Sequence, residues 1–141
     1  MDLKYFKGNL FSAPSNVSLA HCVSRDMKMG AGIAAQFKNT FGNVDLLLSQ
    51  EKKVGEVAYM TFPDRNVFNL ITKELYFHKP TYDNLRIALT NLRLLCEQLD
   101  VTKLAMPKIG CGLDKLQWIM VENIIKSVFL HSKIEISIYY L

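Results

Sequence analysis

Three cysteines, Cys22, Cys96 and Cys111, are too few and too irregularly spaced for covalent stapling. An odd number with no Cys-x-x-Cys excludes a disulfide framework and a structural zinc site, and predicts a reducing compartment. His78 and His131 have no liganding neighbours at metal spacing, so neither a metal nor a cofactor is expected. No apolar run is long enough to cross a bilayer. The start, "MDLKYFKGNLF", lacks the continuous apolar stretch of a signal peptide. No membrane partner is expected, and the predicted location is cytoplasm, nucleus or both. Repeats and low-complexity tracts are missing, as is any dense basic block, because the lysines are scattered. A net charge of +4 and a pI near 9.0 favour anionic partners only weakly. The interleaved aromatic and basic motifs of RNA readers are also lacking.

What is present suits one compact domain over residues 1–141, expected as a monomer. Half the residues are hydrophobic and 21% charged, enough to build a core without cross-links. Short apolar runs alternate with helical patterns. "LKYF", "VSLAHCV", "EVAYMTF", "NVFNLITK", "VTKLAM" and "KIEISIYYL" read as strands. "PDRN" between the third and fourth reads as a turn. "GAGIAAQFKNTFG" places Ile33, Ala34, Phe37 and Phe41 on one helical face. After Pro80, Leu85, Ala88, Leu89, Leu92, Leu95, Cys96 and Leu99 recur at spacings of three and four, an amphipathic helix. A last helix is expected from about Leu116, with Leu116, Ile119, Met120, Ile124, Val128 and Phe129 inward. Strands interleaved with helices predict a layered α/β domain with a largely parallel or mixed sheet. Ligands of such sheets gather beyond the carboxyl ends of the strands.

Two loops stand at such places, "RDMKMGAGIA" and "PKIGCGLDKL". Each has Gly-x-Gly between a strand and a helix, where backbone N–H groups can form an anion-binding nest and the helix adds its positive end. Two such loops suit two phosphates. Neither extends to Gly-x-Gly-x-x-Gly, which argues against a dinucleotide-binding dehydrogenase.

The segments "KGNLF", "SLAHCVSRDMKMGAGIAAQFK", "GEVAY", "LITK", "HKPTYDNL" and "MPKIGCGLDKLQW", in order over residues 4–141, resemble the macrodomain superfamily. The nearest likeness is to its terminal ADP-ribose protein glycohydrolase branch. The resemblance implies a three-layer α/β/α fold with a central mixed sheet and a pocket for ADP-ribose. It also implies removal of ADP-ribose from acidic side chains and deacylation of O-acyl-ADP-ribose, with ADP-ribosylated proteins as partners. By the same likeness Gly30, Ala31, Gly32 and Ile33 would hold the diphosphate and proximal ribose. Ile109, Gly110, Cys111, Gly112 and Leu113, after Pro107, would cover the diphosphate and distal ribose. His21 and Ser24 would border the distal ribose, Leu10 and Thr72 would complete the ligand contacts, and Lys73 and Asp114 would be the catalytic pair. The family commonly has Gly-Asp after the first strand, where the carboxylate accepts from the adenine amino group. This chain has Asn9, a neutral and weaker acceptor.

From the residues alone, plainer roles stand beside these. Lys73 reads as a surface lysine at a strand end, Asp114 as a helix N-cap and His21 as a hydrogen-bonded core histidine. His21 and Cys22 are adjacent in a strand and point to opposite faces, so they form no Cys-His nucleophile pair. Trp118 and the tyrosines read as packing or surface groups. Two functions remain open beside the hydrolase: a module that binds ADP-ribose without chemistry, and a domain acting on ADP-ribosylated nucleic-acid ends.

Overall fold

The computed structural model describes residues 3–141. Six strands form one sheet: β1 (Lys4–Lys7), β2 (Ser18–Ser24), β3 (Val57–Thr61), β4 (Asn66–Lys73), β5 (Lys103–Met106) and β6 (Glu135–Tyr140). Their order is β1-β6-β5-β2-β4-β3. Every neighbouring pair is parallel except β3 with β4, which are antiparallel and joined by the "PDRN" turn. The sheet is therefore mixed, with its one antiparallel strand at an edge.

Four helices cover it: α1 (Gly32–Phe41), α2 (Val44–Ser49), α3 (Tyr82–Gln98) and α4 (Trp118–Val128). Alternation along the buried strand β2 divides the core. Leu19 and Val23 point to one face, among Phe37 of α1 and Leu47 of α2. Ala20 points to the other, among Leu85, Leu89 and Leu92 of α3 and Val121 and Ile125 of α4. This gives three layers. Each buried leucine of α3 contributes about 1.5–3 kcal/mol, and Thr81 caps that helix by accepting from the Asn84 amide at 3.1 Å.

The structure departs from the sequence reading in places. α2 and a 3₁₀ turn at Leu10–Ser12 are additional elements, each too short to show a helical period. α4 starts at Trp118 with Gln117 as its N-cap, so Asp114 does not cap it. Ile119 and Met120 are exposed, whereas Val121 and Ile125 face the core with Ile124 and Val128. The helix begins later than expected, and its apolar stripe is correspondingly rotated.

Candidate active site

The carboxyl ends of β5, β2 and β4 lie side by side, and the chain leaving each one builds a wall of one cleft. Its volume is about 920 Å³, enough for a ligand of nucleotide size. Gly30, Ala31, Gly32 and Ile33 form one wall; Pro107, Ile109, Gly110, Gly112 and Leu113 form the facing one. Lys28, Lys73, Lys79 and Lys108 line it against one carboxylate, Asp114. A cleft with that balance favours an anion.

Backbone geometry explains why the walls are open to a ligand. α1 begins at Gly32 with no side-chain cap, since Ala31 precedes it. No backbone carbonyl among the described residues accepts from the amides of Gly30, Ala31, Gly32, Ile33, Gly112 or Leu113. Those amides belong to residues that line one cleft, and the start of α1 adds the positive end of its dipole there. Gly30 and Gly112 have open space where a Cβ would stand. Gly32 and Gly110 are needed for conformation, at φ +59° and +73°. Leu113 reaches across, its Cδ1 3.7 Å from the position of a Cβ on Gly32, so the two loops meet. In the first loop Met27 and Met29 hold left-handed φ values of 53° and 48°. Their side chains are buried beneath the loop, and that burial offsets the backbone strain.

At one end of the cleft the Lys73 ammonium lies 2.5 Å from Asp114 Oδ1. Their side chains are only 13% and 17% exposed. A β-bulge aims the lysine: Val23 pairs with Ile71 and Ser24 with Lys73, which leaves Thr72 as the extra residue. Asp114 is placed by a tight turn closed by hydrogen bonds from the Lys115 amide to the Gly112 carbonyl and from the Leu116 amide to the Gly110 carbonyl. Neither feature shows in residue spacing.

Ser24 lines the cleft, and its hydroxyl donates to Asp26. Cys22 also lines it, but burial first, with Asp114 adding to it, pushes its thiol far above the ordinary range. Burial raises Cys111 as well, and pushes Cys96 up to about 12. Thiolate chemistry is thereby disfavoured at neutral pH.

Other residues assigned to the ligand by resemblance stand outside the cleft wall. His21 is fully buried, donates from Nε2 to Asn69 Oδ1 at 2.6 Å and stacks on Phe37 at 3.7 Å between centroids. Its place is the core, because it shares the β2 face of Leu19 and Val23. Leu10 and Thr72 are buried, and the Cys111 thiol turns back toward the Ile109 carbonyl. Asn9 is exposed and caps the 3₁₀ turn, its Oδ1 accepting from the Phe11 amide at 2.9 Å. In the other direction, the cleft includes Lys28, Met29, Ala34, Tyr76, Lys79 and Lys108, which the sequence reading did not single out. Lys108 and Lys79 had a signal available, their places inside "MPKIGCGLDKLQW" and "HKPTYDNL"; Tyr76 had none.

Comparison with known proteins gives a consistent result. The model of the Macro domain matches residues 20–125. A human protein named ADP-ribose glycohydrolase OARD1 is 50% identical over 137 residues, which cover 97% of this chain and 90% of the relative. A DNA ADP-ribosyl glycohydrolase of Thermus aquaticus is 29% identical over 125 residues, covering 82% of this chain and 34% of that protein. Among solved structures, the macrodomain of Thermus aquaticus DarG superposes with a TM-score of 0.89 at 26% identity, over 99% of both chains.

Proposed function

Given that the chain belongs to the Macro domain family, we propose that it is an ADP-ribose glycohydrolase. It releases ADP-ribose from glutamate and aspartate side chains and deacylates O-acyl-ADP-ribose. The observation that carries this reading is the enclosed Lys73–Asp114 pair at the end of a cleft built from two anion-binding loops. A module that only binds ADP-ribose has no use for such a pair. Half identity over nearly the whole chain to a protein named as a glycohydrolase supports the same reading.

The diphosphate lies between the loops, held by the free amides of Gly30–Ile33 on one side and of Gly112 and Leu113 on the other. That placement sets the distal ribose against Lys73. As an ammonium, Lys73 has no lone pair to attack with, so the first step is proton transfer to Asp114. The free amine then attacks C1″ of the ribose. A C1″–N bond forms, and the bond from C1″ to the acceptor carboxylate oxygen breaks with its electron pair leaving on the carboxylate. Opening of the ribose ring turns the adduct into a protonated Schiff base: Asp114 gives its proton to the ring oxygen and, as a carboxylate again, takes the surplus proton from the adduct nitrogen. Water adds to the Schiff base, the amine departs, and free ADP-ribose results. The reaction consumes one water.

The test is release of ADP-ribose from protein modified at a single glutamate, followed by chromatography of the nucleotide. A domain that binds ADP-ribose tightly and releases none is a reader. A second reading, action on ADP-ribosylated nucleic-acid ends, draws support from the cleft lysines and from the relative named for DNA. An end-modified oligonucleotide cleaved faster than the modified protein would favour it.

A further inference from the structure

The chain leaving Lys73 does not turn away from the cleft but runs along its rim. Leu75, Tyr76 and Phe77 are all exposed there, Tyr76 at 59% and Phe77 at 64%. Tyr76 lines the cleft, and its ring meets Phe77 edge-on at 5.4 Å between centroids. Leu113, 65% exposed, belongs to the opposite wall. Hydrogen bonds anchor this rim on both sides. Asp26 accepts from the Tyr76 amide at 3.0 Å, and Lys79 Nζ donates to the Leu113 carbonyl at 2.7 Å. Large apolar groups held in water beside a site mark a surface that another molecule covers.

Geometry limits what that molecule is. Under the function proposed above, on which this inference rests, the bond that breaks joins C1″ to the acceptor, and it breaks beside Lys73. The acceptor therefore leaves the cleft at that end and passes over the residues that follow Lys73. From Leu75 to Phe77 the rim offers aliphatic and aromatic groups and no cation of its own, and three cations beside it are engaged, whereas Lys28 and Lys108 line the cleft itself. Arg25 pairs with Glu74 at 3.3 Å, Lys79 with the Leu113 carbonyl and Lys73 with Asp114. A nucleic-acid strand needs cations along its path and a stacking face at each base. An apolar side chain on an extended peptide needs neither.

We propose that Leu75, Tyr76, Phe77 and Leu113 form a docking ledge for the acceptor polypeptide, which selects substrates with a large apolar residue next to the ADP-ribosylated glutamate or aspartate. The ledge reads the protein, and the cleft reads the nucleotide.

The test compares two peptides, each ADP-ribosylated at one glutamate, flanked by leucine and phenylalanine in one and by glycine and serine in the other. O-acetyl-ADP-ribose, which has no flanking residue, serves as the reference substrate. The wild-type chain should cleave the apolar-flanked peptide with a kcat/KM about tenfold higher, the gain expected from burying one large apolar side chain. Phe77→Ser should abolish the preference and leave O-acetyl-ADP-ribose turnover unchanged, and Phe77→Leu should restore most of it. Equal kcat/KM for the two peptides in the wild-type chain, with the reference substrate turned over, would overturn the ledge alone. So would a preference that survives Phe77→Ser. A Phe77→Ser defect seen on an ADP-ribosylated oligonucleotide and not on the peptides would assign the ledge to nucleobases instead. Turnover of none of these substrates would overturn the glycohydrolase reading and this inference together.

Discussion

Lys73 and Asp114 stand 41 residues apart in the chain and 2.5 Å apart in space, at the ends of two different connections. The β-bulge at Thr72 aims one and the Gly-Cys-Gly turn aims the other. Each holds the other at one end of the cleft. Removing either should therefore abolish turnover with little cost to stability. The expected loss for Lys73→Ala is at least 10³-fold in kcat, with ADP-ribose affinity within about threefold of wild type. Calorimetry and single-turnover release together check this. A loss of affinity that matched the loss of rate would make Lys73 a binding residue.

The glycines fall into two groups that mutation should separate. Gly112 has open space beside it and no positive φ, so Gly112→Glu should fold normally and lose ADP-ribose binding by 100-fold or more, through bulk and charge beside the diphosphate. Gly110 has φ +73°, and a Cβ there would stand 2.8 Å from Leu116 Cδ1. Gly110→Ala should destabilise the domain by about 1–3 kcal/mol. Thermal melts with and without ADP-ribose distinguish the two outcomes. Unchanged affinity in Gly112→Glu would remove that wall from the site.

Asn9 is exposed, and its Oδ1 keeps one lone pair after capping the 3₁₀ turn. If that lone pair receives the adenine amino group, Asn9→Ala should weaken ADP-ribose about fivefold to tenfold and leave ribose-5-phosphate unaffected. Asn9→Asp should keep the cap and strengthen the contact. An equal effect of Asn9→Ala on both ligands would show that the base is read elsewhere.

Buried His21 makes stability depend on acid. Burial lowers its pKa from 6.5 to about 4, against a smaller opposing effect from Asn69. Between those values the unfolded chain binds a proton that the folded chain does not, so stability falls as pH drops from about 6.5 to about 4 and this contribution levels off below. The full effect is about 3 kcal/mol. Urea titrations at pH 7.5, 5.5 and 4 should show the decline, and His21→Gln, which can still donate to Asn69, should flatten it. A decline equally steep in His21→Gln would trace the acid sensitivity to other groups.

How much of this was legible in the sequence follows from range. Strands β2 and β4 and helix α3 were readable because burial on both faces, or on one stripe, imposes a pattern on neighbouring residues. The two glycine loops were readable because a strand, a Gly-x-Gly and a helix are local. α4 was readable only in part, since the irregular stretch before Trp118 hides its start. The Lys73–Asp114 ion pair, the bulge at Thr72 and the rim from Leu75 to Phe77 depend on pairing between distant segments, which no window of sequence contains. Resemblance supplied the pair, but it also placed His21 at the ribose. Alternation along β2, already visible in "SLAHCVS", puts His21 with Leu19 and Val23 in the core.

A bond between Lys73 and the sugar can be trapped while it exists. Borohydride added during turnover of glutamate-ADP-ribosylated protein reduces a Schiff base to a stable amine. Peptide mass spectrometry should then find ADP-ribose attached at Lys73, in a yield that rises with borohydride as ADP-ribose release falls. No adduct at Lys73, together with full release by Lys73→Ala, would contradict the covalent route and leave Asp114 acting on water.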